Sequence, residues 1–228
     1  MQNESEIKYH VKRKNRKTVG IVVERDKTVV VIAPENVSEE KISELVKRKK
    51  FWILDKLNNS KKYSETENNK EFVSGESLLY LGKNYKLEII ENDIDGIHFE
   101  NKFIVSKKNS DKANLLIKEW YKLNSKEVII PKAEFFAKEL GVSYSSIKIS
   151  NMKFRWGSCT PKNNINFSWR LIKAPVNVIE YIIVHELTHL IESNHTAKFW
   201  NIVSVQLPYY QKAKEWLKEN GSILESDF

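Results

Sequence analysis

The sequence predicts an α+β fold: a basic, β-rich N-terminal region at residues 1–110 with one amphipathic helix, then a more helical region at 111–228 carrying a His-Glu-Leu-Thr-His helix and a small antiparallel sheet. Three observations predict it. Apolar and polar residues alternate through two early stretches, Ile7–Ala33 and Val73–Val105, as half-buried strands require. Apolar residues recur at helical spacing from Asp111 to Leu140 and again from about Pro175. A chain of 228 residues with 41% hydrophobic side chains is long enough to bury real cores, which excludes wholesale disorder.

The opening runs IKYHVKRKN and TVGIVVERDKTVVVIAP read as strands, with Asp26-Lys27 as a hairpin turn and Pro34 closing the second run. Ser38, Glu39 and Glu40 mark a helix start, and Ile42, Leu45, Val46, Trp52, Ile53 and Leu57 continue one amphipathic helix through the basic run at 47–50. Residues 58–72 are almost devoid of apolar side chains and read as an exposed connector or a ragged helix end. In the second β stretch, Gly82-Lys83-Asn84 and Asp95-Gly96 supply turns for an antiparallel sheet. The helical stretch after it offers Leu115, Ile117, Trp120, Tyr121, Val128, Ile129, Phe135, Phe136 and Leu140 to a core. Pro131 is expected to divide this stretch and Gly141 to cap it. Short strands follow around SSIKIS and NINFSW.

Charge is uneven. Residues 1–62 carry 16 basic and 9 acidic side chains, whereas 63–150 carry 13 and 14, and 151–228 carry 9 and 7. Such a bias attracts nucleic acid or acidic protein, or simply solvates a lysine-rich face. The lone cysteine, Cys159, excludes an internal disulfide, and the start MQNESEIKYH lacks the basic and apolar segments of a signal peptide; together they read as cytoplasmic. The apolar stretch YIIVHELTHLI is interrupted by two His and a Glu and is too short for a bilayer span, so no membrane protein is expected.

The informative segment is His185-Glu186-Leu187-Thr188-His189. Residues four apart share a helix face, so both imidazoles can offer nitrogen to one ion, with Glu186 beside it as a carboxylate suited to take a proton from bound water. Val178, Ile179, Ile182, Ile183, Leu187 and Leu190 would bury most of this helix and hold the ligands rigidly. His195, six residues beyond His189, reaches the same ion only if the helix ends and the chain turns back, which Ser193-Asn194 can do because Asn tolerates the left-handed conformation. Three imidazoles and a water make an open tetrahedral site for one Zn²⁺ ion. Glu192 is a rival third ligand, though a helix-borne carboxylate closes such a tetrahedron poorly; Glu215 and Glu219 are remoter rivals. This chemistry predicts a hydrolase acting on protein or peptide substrates, with an extended chain lying by strand addition between the sheet's edge and the HELTH helix. The competing class is a nucleic-acid-associated binding module with a structural metal or subsidiary proteolysis, bound through residues 1–62. Structural sites take four protein ligands, and no fourth His or Cys stands at a matching spacing.

From Lys153 to Tyr210 the chain resembles the YgjP-like metallopeptidases, relatives of the SprT-like zinc proteases in the wider zincin group. The matching pieces are Arg155 to Cys159 (RWGSC), Ile165 to Leu171 (INFSWRL), Ala174-Pro175, Tyr181 before HELTH, and Asn194-His195 followed by Phe199-Trp200. The basic N-terminal hairpin and the helix containing Trp52 resemble the front half of that family. The resemblance implies a zincin-like region at 111–228, zinc held by His185, His189 and His195, and catalytic Glu186. The histidine spacing equals that of metzincins, but Glu192 replaces their glycine and no methionine follows, so that group is not assigned. Some SprT-like relatives act on proteins attached to DNA, which is compatible with the basic front.

Arg155, Tyr181 and Tyr209 are candidate contacts to substrate or transition state, with Tyr210 a further oxyanion candidate. The competing structural roles are an arginine anchoring its turn and tyrosines packed with their hydroxyls at the surface. Cys159 reads as a small buried residue rather than a redox centre or zinc ligand, and Trp156 and Trp200 as packing around the site. His10 and His98 read as ordinary strand residues.

Overall fold

The computed structural model describes residues 7–16, 18–23, 28–59, 70–152 and 155–225. Strands come first and helices after, the α+β class expected. The chain forms two compact units, Met1–Thr66 and Glu67–Phe228. This division differs from the boundary near residue 110 expected from the sequence. The reason is that Leu78, Leu87, Phe103 and Val105 of the second β stretch share a hydrophobic core with the later helices.

In the first unit, β1 (His10–Arg13), β2 (Gly20–Val23) and β3 (Val29–Ala33) form a sheet ordered β1-β3-β2. β3 pairs antiparallel with β2, as a hairpin does, and parallel with β1. The expected turn at Asp26-Lys27, like most of the 58–72 connector, lies outside the described residues. The helix expected from Ser38 to Leu57 is two helices, α1 (Glu39–Arg48) and α2 (Lys50–Asn59). The break falls at Lys49, whose N–H reaches both the Leu45 and Val46 carbonyls, at 3.0 and 3.2 Å. Ser38 caps α1 by accepting from the Lys41 N–H, and Glu39, Glu40, Lys47 and Arg48 match the helix dipole at its two ends. Ile42 and Val46, one turn apart, close with Ile53 over Val29, Val31 and Ala33.

The second unit begins with a sheet ordered β4-β5-β7-β6, from Ser77–Tyr80, Lys83–Ile90, Phe103–Ser106 and Ile97–Phe99 respectively. The β4–β5 turn sits at Leu81-Gly82, both left-handed, one residue earlier than expected. β5 and β7 run parallel, so this sheet is mixed rather than antiparallel. A second sheet, ordered β8-β10-β9, is also mixed: β10 (Asn164–Ser168) is parallel to β8 (Ser146–Ser150) and antiparallel to β9 (Gly157–Cys159). Alternation shows that a segment is a strand; it carries no information on its neighbour's direction.

α3 (Ala113–Glu139) runs unbroken through Pro131, contrary to the expected division. Pro131 is on the exposed face, where water can satisfy the carbonyl one turn earlier, while Ile117, Tyr121, Ser125, Ile129 and Ala133 bury the opposite stripe on both sides of it. Leu115 and Phe135, expected in the core, fall off that stripe and are 60% and 57% exposed. Gly141 ends the helix as expected, with φ +64°, its N–H on the Lys138 carbonyl and the Val142 N–H on Ala137. α4 (Val176–Thr188) packs against α3, with α5 (Ala197–Gln206) and α6 (Tyr210–Glu225) on its other sides. Val178, Ile179, Ile182, Ile183, Val184 and Leu187 are all buried, the pattern of a helix enclosed all round. Each such side chain withdrawn from water stabilises the unit by about 1.5–3 kcal/mol.

Candidate active site

Helical spacing puts His185 on the last full turn of α4, and His189 stands at its C-cap. Beyond Thr188 the backbone tightens: the Leu190 N–H bonds to Leu187, and the Ile191 and Glu192 N–H groups both bond to Thr188. The turn-back therefore starts earlier than Ser193-Asn194. Asn194 is not left-handed, contrary to the expectation, because the backbone has already turned before reaching it. The Thr196 N–H bonds to the Asn194 carbonyl at 2.8 Å, and the Thr196 hydroxyl caps α5 by accepting from the Phe199 N–H at 3.3 Å. His195, immediately before this cap, is thereby carried back over α4.

The three imidazoles converge. Their ring centres are 5.0 Å apart for His185 and His189, and 4.8 Å for His195 to each of the others. Nε2 of His195 lies 3.0 Å from Nε2 of His185. Two nitrogens on one tetrahedral zinc would be about 3.3 Å apart, so this pair fits such an ion, and one ring nitrogen from each of the three histidines lies within 4.8 Å of the others. His189 places Nδ1 3.2 Å from the Glu192 carbonyl, the outer hydrogen bond that fixes a ligating imidazole's tautomer. Phe199, fully buried, touches all three rings, with centres at 4.7 to 5.0 Å. Burial and the neighbouring positive groups push His185 down to about 3, so its lone pair is available at neutral pH. Among the described residues, these three are the one group of His, Cys, Asp or Glu side chains gathered closely enough to hold a metal. The Glu192 carboxylate is outside it, as are the exposed Glu215 and Glu219.

Glu186, which follows His185 on α4, is buried. Burial pushes its carboxyl up to about 7, tempered by the Cys159 backbone N–H and the charge of Arg155. Gly157 of β9 supports the same side chain: a Cβ there would stand 2.5 Å from Glu186 Cγ and 2.8 Å from Oε1. Gly157 carries no signal of this role in the sequence, because nothing local marks which distant side chain lies against a glycine. Thr196 was also missed, although a threonine just before a helical run is a capping signal.

The other expected residues divide. Tyr181 is buried with its ring edge toward His185, centres 5.9 Å apart, and its hydroxyl is pushed up to about 12 by burial. Arg155 is exposed. Tyr209 is 77% exposed, with Lys212 over its ring, whereas Tyr210 stacks on Tyr181. Cys159 is half-buried, and burial with the nearby Glu186 charge raises its thiol, the reverse of a reactive thiolate. His98 pairs with Glu100 in the first sheet of its unit.

The sequence matches the YgjP-like metallopeptidase domain across residues 17–220, and the chain belongs to that family. Its substrates, as for any peptidase, are proteins or peptides. Two solved structures are similar over part of the chain. One is the metallopeptidase zymogen abylysin of Pyrococcus abyssi, at 24% identity over 38% of this chain and 86% of that one, with a TM-score of 0.34. The other is the metallopeptidase zymogen jannalysin of Methanocaldococcus jannaschii, at 22% identity over 42% of this chain and 96% of that one, with a TM-score of 0.37. No curated protein matches the sequence. No helix among the described residues is long and apolar enough to cross a membrane.

Proposed function

We propose that the chain is a zinc peptidase in which His185, His189 and His195 hold one ion and Glu186 is the general base. The observation that carries this reading is the convergence of three imidazole nitrogens beside a buried carboxylate supported by a strand backbone. When bound, zinc supplies Lewis acidity, bringing water's pKa toward neutrality and polarising a peptide carbonyl. Glu186 accepts the proton from the attacking water and delivers it to the departing amine. Its enclosure by Gly157 and the Cys159 N–H limits the positions its carboxylate can take. β9 is the edge of its sheet and packs against α4, so an extended substrate can add there as a further strand. Backbone hydrogen bonds then provide the grip, which favours broad sequence tolerance. Tyr181, still protonated at neutral pH, is an oxyanion donor in this reading, and Arg155 and the exposed Tyr209 are substrate contacts.

Replacing Glu186 with Gln tests the assignment. The variant should keep about one equivalent of zinc while peptidase activity falls by at least about a hundredfold, as expected for loss of a general base. Cleavage of an unfolded protein at the wild-type rate would exclude Glu186 as the base.

A second reading concerns the N-terminal unit. Phe51 and Trp52 are 88% and 41% exposed, next to the basic run at 47–50. Val19, Ile21, Leu45, Lys49 and Trp52 line a cleft of about 240 Å³. Exposed rings among lysines suit single-stranded nucleic acid, by stacking and phosphate contact. Oligonucleotide affinity that falls steeply with salt supports this partner, and affinity indifferent to salt rejects it.

A further inference from the structure

His195 differs from its two partners in how it is held. His185 is built into α4, and His189 is fixed at the helix end by the Glu192 carbonyl. His195 hangs from an exposed run, residues 193–198, and among the described residues its ring is within hydrogen-bond distance only of His185. An imidazole on such a segment has several staggered rotamers, most of which carry Nε2 out of the cluster, and the edge-on Phe199 contact is one it shares with the other two rings.

The structure supplies another constraint. The His195 ring stacks on Trp200 of α5, with centres 5.6 Å apart and planes inclined by 25°. Trp200 in turn stacks on Tyr210 of α6, at 5.6 Å and 15°, and Tyr210 on Tyr181 of α4, at 6.2 Å and 22°. Lys214 Nζ lies 4.5 Å from the Trp200 ring centre. This column of rings begins one helical turn before His185 and ends on His195, joining three helices to the exposed segment. Trp200 is only half-buried, and α5 is anchored in the core by the fully buried Phe199 and Val203.

We infer that Trp200, backed by Tyr210, is the positioning residue for His195: its stacked indole fixes the plane of the imidazole and keeps Nε2 turned into the three-histidine cluster. This inference rests on the proposed metal site. The indole substitutes for the outer hydrogen bond that holds His189, acting through the imidazole it stacks on.

The test is zinc affinity of the metal-free full chain, measured by competition with a chromophoric chelator. Trp200→Leu, which keeps apolar bulk but no ring, should raise the zinc dissociation constant about tenfold or more, the usual effect of removing an orienting partner. Trp200→Phe should stay within about threefold of wild type, because a ring remains. Tyr210→Leu should weaken binding in the same direction, since the indole loses its backing. Metal-free Trp200→Leu should melt close to wild type, and in a His195→Ala background the same substitution should change affinity no further. Wild-type affinity in Trp200→Leu, or an equal loss with His195 already removed, overturns the positioning role. A His195→Ala single variant that binds zinc as tightly as wild type overturns the three-imidazole site itself, which separates the two failures.

Discussion

Glu186 is shaped as much by what faces it as by its own chemistry. The position a Cβ would take at Gly157 is already occupied by the Glu186 stem, and the Cys159 N–H restrains the carboxylate from the same strand. Gly157→Ala should therefore displace the carboxylate while leaving the imidazoles alone. The expected result is a fall in kcat/KM of about a hundredfold, the order of loss from a misplacement near 1 Å, with zinc affinity within about threefold of wild type. A variant with full turnover would mean that the carboxylate shifts without consequence. The two histidines four residues apart and the acid between them were legible in the sequence, because i, i+4 neighbours are set by helix geometry alone. Gly157 was not, because its partner is 29 positions away in the chain.

Helices show where local signals suffice and where packing overrides them. The stop at Gly141 was readable, since its φ of +64° suits a residue without a Cβ and satisfies two terminal carbonyls. Gly141→Ala should destabilise the protein by about 1 kcal/mol, seen as a lower urea midpoint with an unchanged slope; an unchanged midpoint would show that the cap contributes nothing. Pro131 carried the opposite signal and was overridden. Its lost hydrogen bond lies on the solvent side, and the buried stripe from Ile117 to Ala137 holds the helix together across it. The turn after α4 was legible as a necessity, because His195 lies too far along a straight helix. Its construction from backbone hydrogen bonds closing on Leu187 and Thr188, rather than from a left-handed Asn194, was not.

Across the whole chain, two units carry different chemistry. Met1–Thr66 has a small core and the region of strongest positive charge, and Glu67–Phe228 has the larger core and the histidine cluster. The charge bias, the α+β class and the candidate ligand triad could be read from the linear chain, because composition, periodicity and short spacing are properties of neighbouring residues. Folding settled the rest: the parallel pairs in all three sheets, the union of the 77–106 strands with the later helices, the strand against Glu186, and the ring column ending on His195. These depend on which distant segments meet, and that choice is made by burial and shape complementarity across the core, which no local pattern records.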